Sequence, residues 1–369
     1  MNQKELNELR RRFRLDRTGF NRVYGCFVNG NKEIVSDLDE SFGYMPEAEA
    51  ERYLGLLKKV LSGRLGKNDI VFSTQQVMEG EEHKLLTALR DSELKDREAR
   101  TAFYQKVIDQ LDMEGCSYLL LMSHERYDVP HRGGDDELQA DASDRTFSYF
   151  ICGVYPVKEG KAELGYFPQE NEFHNLAAGQ IVCPPELGFL FPAFDDRAAN
   201  IYNALYYSRR PDELHQEFID GVFHTEPPMS AGEQKAAFET ALCQGLEDQC
   251  SMEVLQAIHE RIHDQLQEHK ERKDPEPPTL TPADVGMILA DQGVERERIA
   301  AFQERCGEEF GENAVLNPEN LIDPGKFQVK TEQITVSVDP EFSYLVETCM
   351  IDGKKYIMIP VGKGVEVNG

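Results

Sequence analysis

Three groups of residues carry side chains whose types and spacing could do chemistry. In the first, His259, Glu260, Arg261, Ile262 and His263, two histidines stand one helical turn apart with a glutamate between them. That spacing suits two zinc ligands and a water-activating carboxylate. His269 follows at the position of a third ligand in some zinc proteases. On a continuous helix, however, it would lie about 9 Å along the axis from His263, too far to share one ion. The break such proteins make with glycine is not offered here, because position 266 is Leu, a strong helix former. Leu255, Ile258, Ile262 and Leu266 mark the expected buried stripe, which leaves His259 and His263 on its polar flank beside Arg261 and Asp264. The expectation is a surface helix, with His259 and His263 disfavoured as metal ligands.

The second group is His124 and Asp128, within Ser-His-Glu-Arg-Tyr-Asp-Val-Pro at 123–130. It follows an apolar strand pattern at 117–122, so its polar groups are expected at a strand end. There His124 and Asp128 could act as a base and its orienting carboxylate, or as metal ligands with Asp141 and Asp144 from the acidic stretch 131–144. The third group is Asp195, Asp196 and Arg197, again charge after an apolar run. Two adjacent carboxylates could hold Mg²⁺ and leave Arg197 for a phosphate or carboxylate. The same residues also suit turns, helix caps and ion pairs. No P-loop, G-x-S-x-G or calcium-loop spacing occurs, and the Gly-Lys segment at 63–68 reads as a helix C-cap turn. No cofactor is named by these patterns.

The elements that must position these groups follow from periodicity and breakers. Leu6, Leu9 and Phe13 give one apolar face to a helix over 2–15. Asn29-Gly30-Asn31 separates two strands of a hairpin, and helices are expected at 46–61, 81–89 and 96–111. Segments 117–123, 146–157, 162–167, 188–194 and 201–208 are rich in β-branched and aromatic residues and read as strands of one largely antiparallel sheet. The stretch 131–144 is expected as the longest loop of that sheet. Helices follow at 212–223, 231–245 and 252–270, the second opened by a Ser230…Glu233 capping box. A proline-rich stretch, two further helices and three strands at 326–338, 344–351 and 354–361 complete the chain.

The fold class is therefore α+β, in five stretches. They are an N-terminal helical segment with a hairpin (1–114), a central sheet region (115–210), a helical section (211–273), a Pro-rich linker (274–282), and C-terminal helices with a three-stranded region (283–369). Across 369 residues, 67 Asp+Glu against 40 Lys+Arg give a net charge of -27. Such a surface disfavours direct nucleic-acid binding by the whole chain, which needs a basic face. The charge is uneven. Residues 1–22 hold seven basic and three acidic side chains, a +4 arm on a -31 body. Arg10, Arg11, Arg12 and Arg14 are expected to lie along the acidic body in ion pairs; the other readings are an anion-binding arm or self-association. Eight scattered cysteines without a C-x-x-C pair, and no apolar run of about 20 residues, point to reduced thiols, a cytoplasmic protein and no membrane span.

Dispersed segments together resemble a bacterial family defined only as a domain of unknown function, found mainly in Gram-positive anaerobes. They are MNQKELNELRRR at 1–12, LSGRLGK at 61–67, YDVP at 127–130, ASD at 142–144, FLFPAFDDR at 189–197, SAGEQK at 230–235 and VETCMIDGKKYIMIP at 346–360. The resemblance covers the whole chain and implies a bacterial cytoplasmic protein, with no activity, cofactor or site residue to carry over. Two main functions remain open. One is a binding or regulatory protein without a standard catalytic motif, whose partner is a protein or a small molecule. The other is a metal-dependent hydrolase or phosphoryl-handling enzyme built on His124, Asp128, Asp195 and Asp196. Nucleic-acid mimicry by the acidic surface and a zinc peptidase at His259 and His263 stand behind them.

Overall fold

The computed structural model describes residues 1–74, 79–132, 138–176, 179–312, 314–331 and 333–361, with backbone alone at 131–132, 138–144, 163 and 176. It is 38% helix and 29% strand, and its paired strands are antiparallel, an α+β chain. Two units are separable, Met1–Pro228 and Met229–Gly369.

In the first unit, in chain order, the elements are α1 (Gln3–Arg10), β1 (Arg22–Val28), β2 (Ile34–Ser41), α2 (Glu47–Lys59), β3 (Asp69–Ser73), α3 (Glu81–Asp91) and α4 (Arg97–Gln110). Then come β4 (Tyr118–Arg132), β5 (Leu138–Glu159), β6 (Glu163–Phe167), β7 (Glu172–Leu176), β8 (Gln180–Val182), β9 (Leu187–Phe191), β10 (Ala193–Asp195), β11 (Ala198–Asn200), β12 (Asn203–Ser208) and α5 (Gln216–Phe223). The main sheet has the order β2-β1-β4-β5-β9-β12-β3, with β8 paired to β5.

Its alternation divides the side chains between two cores. Tyr118, Leu120 and Met122 of β4, with Phe150, Cys152 and Val154 of β5, pack under α3, α4 and α5. Leu121, Tyr127 and Val129 of β4, with Phe147, Tyr149 and Ile151 of β5, pack under α1 and α2. A strand covered on both faces needs apolar residues at consecutive positions, which is why 118–122 and 187–191 read as uninterrupted apolar runs. Gly188 is required by this layering. A Cβ there would stand 2.6 Å from the Cys152 carbonyl oxygen and 2.7 Å from Val60 at the end of α2.

Several expectations are corrected. Helix α1 ends at Arg10, not at 15, and Phe13 reaches the core from the following turn. The strand expected to end near 123 runs on to Arg132, because its polar side chains find partners on β5 and near α1. The stretch expected as a loop at 131–144 is largely strand, with His131 opposite Gln139 and Arg132 opposite Leu138; residues 133–137 lie outside the described residues. Strands β3 and β7 were not anticipated. Each is five residues long and, among the described residues, pairs with a single neighbour, which leaves little pattern in the sequence.

In the second unit are α6 (Ala231–Leu246), α7 (Met252–Arg272), α8 (Pro282–Asp291), α9 (Arg296–Phe310), α10 (Pro318–Leu321), β13 (Phe327–Lys330), β14 (Thr335–Val338), β15 (Glu347–Ile351) and β16 (Lys354–Met358). The Ser230/Glu233 capping box opens α6. A second box, Thr281/Asp284 with Pro282 in the first turn, opens α8. Phe238, Leu242, Ile258, Ile262, Leu289 and Phe302 join the four long helices in one core. Gly245 lets α6 and α9 touch, since a Cβ there would lie 2.6 Å from the Phe302 Cα. The Pro-rich stretch leads into this core: Leu280 is buried and exchanges backbone hydrogen bonds with Leu316 at 2.9 and 2.8 Å. The single strand expected at 326–338 is a hairpin, β13–β14.

Candidate functional site

The third sequence-predicted group sits on a two-residue hairpin turn. Asp195 pairs with Ala198 across β10–β11, and Asp196 and Arg197 take left-handed φ values of 49° and 54°. This is the backbone that two-residue hairpin turns demand. Asp196 is exposed, whereas Asp195 and Arg197 face α1. The Asp195 carboxylate accepts from the Met1 amino group, from the Asn200 side-chain amide at 2.8 Å and from that of Asn203 at 3.2 Å. Arg197 forks onto Glu8 at 2.9 and 3.1 Å, and its backbone N–H donates to Glu5 at 3.1 Å. The Tyr127 hydroxyl donates to Glu8 at 2.7 Å, and the Arg12 guanidinium lies 4.6 Å over the Tyr127 ring. Arg12 then forks onto buried Glu125 at 2.6 and 3.0 Å, and Glu125 also accepts from the Gly19 N–H at 2.7 Å and from the Tyr149 hydroxyl. Charges and donors thus alternate along a chain that fastens α1 to the sheet. Arg10 donates to the Leu61 and Gly63 carbonyls and stands 3.5 Å from Asp69, and Arg14 pairs with Asp16.

His124 and Asp128 point to the other side of the sheet. They share the parity of Tyr118, Leu120 and Met122, under α3, α4 and α5, whereas Tyr127 and Phe194 share the α1 side with rings 6.3 Å apart. The Asp128 carboxylate accepts from the Thr146 hydroxyl at 2.8 Å, and His124 Nε2 lies 2.9 Å from the Ser148 hydroxyl. Burial pushes the His124 imidazole down to about 4, with nearby Glu93 only partly opposing it. A shift of that size makes the imidazolium about 3 kcal/mol harder to form, so the His–Ser contact lacks the basicity a serine nucleophile would require. The five candidates are not brought into one cluster, and the side chains of Asp141 and Asp144 lie outside the described residues. Among the described residues no group of three or more His, Cys, Asp and Glu could hold a metal ion.

The second unit holds a cavity that sequence reasoning did not indicate. It encloses about 540 Å³ between α6, α7 and the segment from α10 into β13. Phe238, Leu242, Leu255, Ile258, Phe327 and Val329 supply apolar lining, and Lys235, Lys326 and Lys330 are exposed at its rim. Glu239 and Asp323 stand beside two of these lysines, at 3.9 Å from Lys235 and 3.7 Å from Lys326.

His259 forms part of the same wall, which corrects the expected surface placement of both histidines. His259 and His263 are buried, while Leu255, expected in the stripe, is partly exposed. The reason is tertiary. The segment 321–327 packs over that flank, so the His259 Nε2–H donates to the Asp323 carbonyl at 3.2 Å and the ring meets Phe327 edge-on at 5.2 Å. In the neutral ring that bond leaves Nδ1 unprotonated, and Nδ1 is buried with no hydrogen-bond partner among the described residues. Burial lowers the His259 pKa, which favours the neutral ring, against the opposing pull of the Asp323 carbonyl. Glu260 is exposed, and α7 continues unbroken through Leu266.

The model of a family described as a domain of unknown function, DUF4317, matches residues 1–369. The chain belongs to the DUF4317 family. No curated protein matches it. Two segments that carried the family resemblance meet in this DUF4317 fold. MNQKELNELRRR contributes α1, and FLFPAFDDR contributes β9, β10 and the turn whose Arg197 is held by Glu5 and Glu8. A third, SAGEQK, contains the capping box at the start of α6. The cavity residues had only a weak signal in sequence: helical spacing of Phe238 and Leu242, and alternation of Phe327 and Val329, both of which also describe ordinary core.

Proposed function

We propose that this protein is a cytoplasmic binding protein whose ligand seat is the cavity of the second unit. The observation that carries the reading is the pairing of an apolar interior with a lysine rim. Its volume lies within the range of small-molecule sites, about 300–1,000 Å³. In a chain with 67 acidic and 40 basic residues, three lysines against two carboxylates at one mouth is a local reversal of charge. The ligand class this favours is an apolar molecule with an anionic end, such as an acyl or aryl carboxylate or sulfonate. Its apolar body would rest on Phe238, Leu255 and Phe327, with the anion near Lys326 and Lys330. The cytoplasmic placement rests on the eight scattered cysteines, none of them in a C-x-x-C pair.

The hydrolase reading is less well supported, since Asp128 and Asp195 lie on opposite sides of the main sheet and each already accepts hydrogen bonds within the chain. Anilinonaphthalene sulfonate, which has the favoured chemistry, should bind the full-length protein and be displaced by decanoate more strongly than by decanol. Leu255→Trp, at a partly exposed wall position, should weaken the probe about tenfold, and Lys326→Glu with Lys330→Glu should remove the preference for decanoate. Equal displacement by decanol would overturn the anionic half of the proposal. Unchanged binding in Leu255→Trp would overturn the site.

A further inference from the structure

Cys243 lies on α6 and lines the cavity; Cys250 immediately precedes Ser251, the N-cap of α7. Their sulfurs are 3.8 Å apart. A disulfide needs about 2.05 Å, so closure asks for an approach of about 1.8 Å. Between them the chain leaves α6 at Glu247 with φ 48° and makes one short turn, in which the Cys250 N–H donates to the Glu247 carbonyl at 3.2 Å. Cys243 is exposed and Cys250 half-buried, so a soluble reagent can reach the pair, whereas Cys26, Cys152 and Cys306 are buried.

We propose that Cys243 and Cys250 are a thiol–disulfide exchange site, oxidised by a low-molecular-weight disulfide to an intramolecular bond that changes the ligand cavity. The Cys243 thiolate attacks one sulfur of the reagent RS–SR, the S–S bond of the reagent breaks, and RS⁻ leaves and takes up a proton from water. The Cys250 thiol then gives its proton to solvent and its sulfur attacks Cys243, expelling the second RS⁻. Two protein thiols lose two electrons and two protons, and the disulfide reagent becomes two thiols. The order follows from access and from acidity. Burial and the neighbouring Cys243 push the Cys250 thiol up to about 11, which leaves exposed Cys243 as the first nucleophile. The coupling to ligand rests on the cavity reading above. Helices α6 and α7 both line the cavity, and the bond would draw the start of α7 toward the end of α6.

The test is incubation of the full-length protein with oxidised glutathione, followed by mass analysis of non-reduced peptides and by anilinonaphthalene sulfonate titration of the oxidised and reduced forms. Wild type should lose two hydrogens in a single cross-linked species joining Cys243 to Cys250. Cys250→Ser should stop at a glutathione adduct on Cys243. A stable adduct on wild-type Cys243, or a cross-link between other cysteines, would overturn the exchange site. Given the cross-link, probe affinity should change at least about threefold between the two forms, and equal affinities would overturn the coupling. A cross-linked protein that binds no probe in either form would instead refute the cavity reading and leave the exchange site standing.

Discussion

Replacing Glu125 by Ala tests whether the charge network fastens α1 to the sheet. The carboxylate is fully buried and accepts from Arg12 twice, from the Gly19 N–H and from the Tyr149 hydroxyl. Removing one partner of a buried pair costs about 3–5 kcal/mol, because the remaining charge and donors stay desolvated. The Arg12 side chain keeps 22% of its surface exposed and can recover some hydration, which favours the low end, about 3 kcal/mol. Leu6, Leu9 and Phe13 remain buried in the variant, each contributing about 1.5–3 kcal/mol, so α1 stays docked and the loss appears as more frequent opening. Hydrogen exchange of the α1 amides should therefore accelerate by about two orders of magnitude. Glu125→Gln, which keeps an acceptor for Gly19, should show about half the free-energy effect. A double-mutant cycle with Arg12→Met should give a coupling of about 2 kcal/mol. Exchange within about threefold of wild type, or a cycle additive within about 0.5 kcal/mol, would refute the argument.

Two buried groups should give opposite pH slopes in denaturant unfolding. Asp69 is driven up to about 7 by burial, which the nearby Arg10 only partly offsets. Its folded pKa exceeds the unfolded one, so the protonated form is favoured; its contribution is complete below about pH 4 and falls by a few kcal/mol as pH rises to 7. Asp69→Asn should remove that slope and raise stability at pH 8; a variant with the wild-type profile would contradict the assignment. His124, lowered to about 4, contributes above its unfolded value and loses about 3 kcal/mol as pH falls from 6.5 toward 4. His124→Gln should flatten that window, and an unaltered acid limb would count against a buried neutral imidazole. Metal analysis of the purified protein should find no stoichiometric zinc; one tightly held zinc, lost in His259→Ala, would reverse the reading of α7.

The hairpin before β2, the capping box at Ser230 and the apolar runs of β4 and β9 are local, since turn chemistry, caps and burial on both faces act through neighbours in sequence. Strand β4 was legible only to its middle, because Glu125 and His124 look like a strand end until Arg12, 113 residues away, and Ser148 supply their partners. The two histidines of α7 were misplaced for a related reason. Hydropathy assigns them to a polar flank, and only the packing of 321–327 across the helix shows that the flank is covered.

The sequence by itself determined the α+β class, the antiparallel character of the sheet, an unbroken α7 that cannot bring His269 to His263, and a basic segment on an acidic body. These rest on periodicity, on backbone conformational limits and on charge, all properties of adjacent residues. The tertiary structure alone decided that Arg10, Arg12 and Arg14 are engaged within the chain, that His124 and Asp195 lie on opposite sides of the main sheet, and that α6, α7 and β13 line a cavity. Each of those depends on which surfaces meet across long stretches of chain, and no local pattern records it.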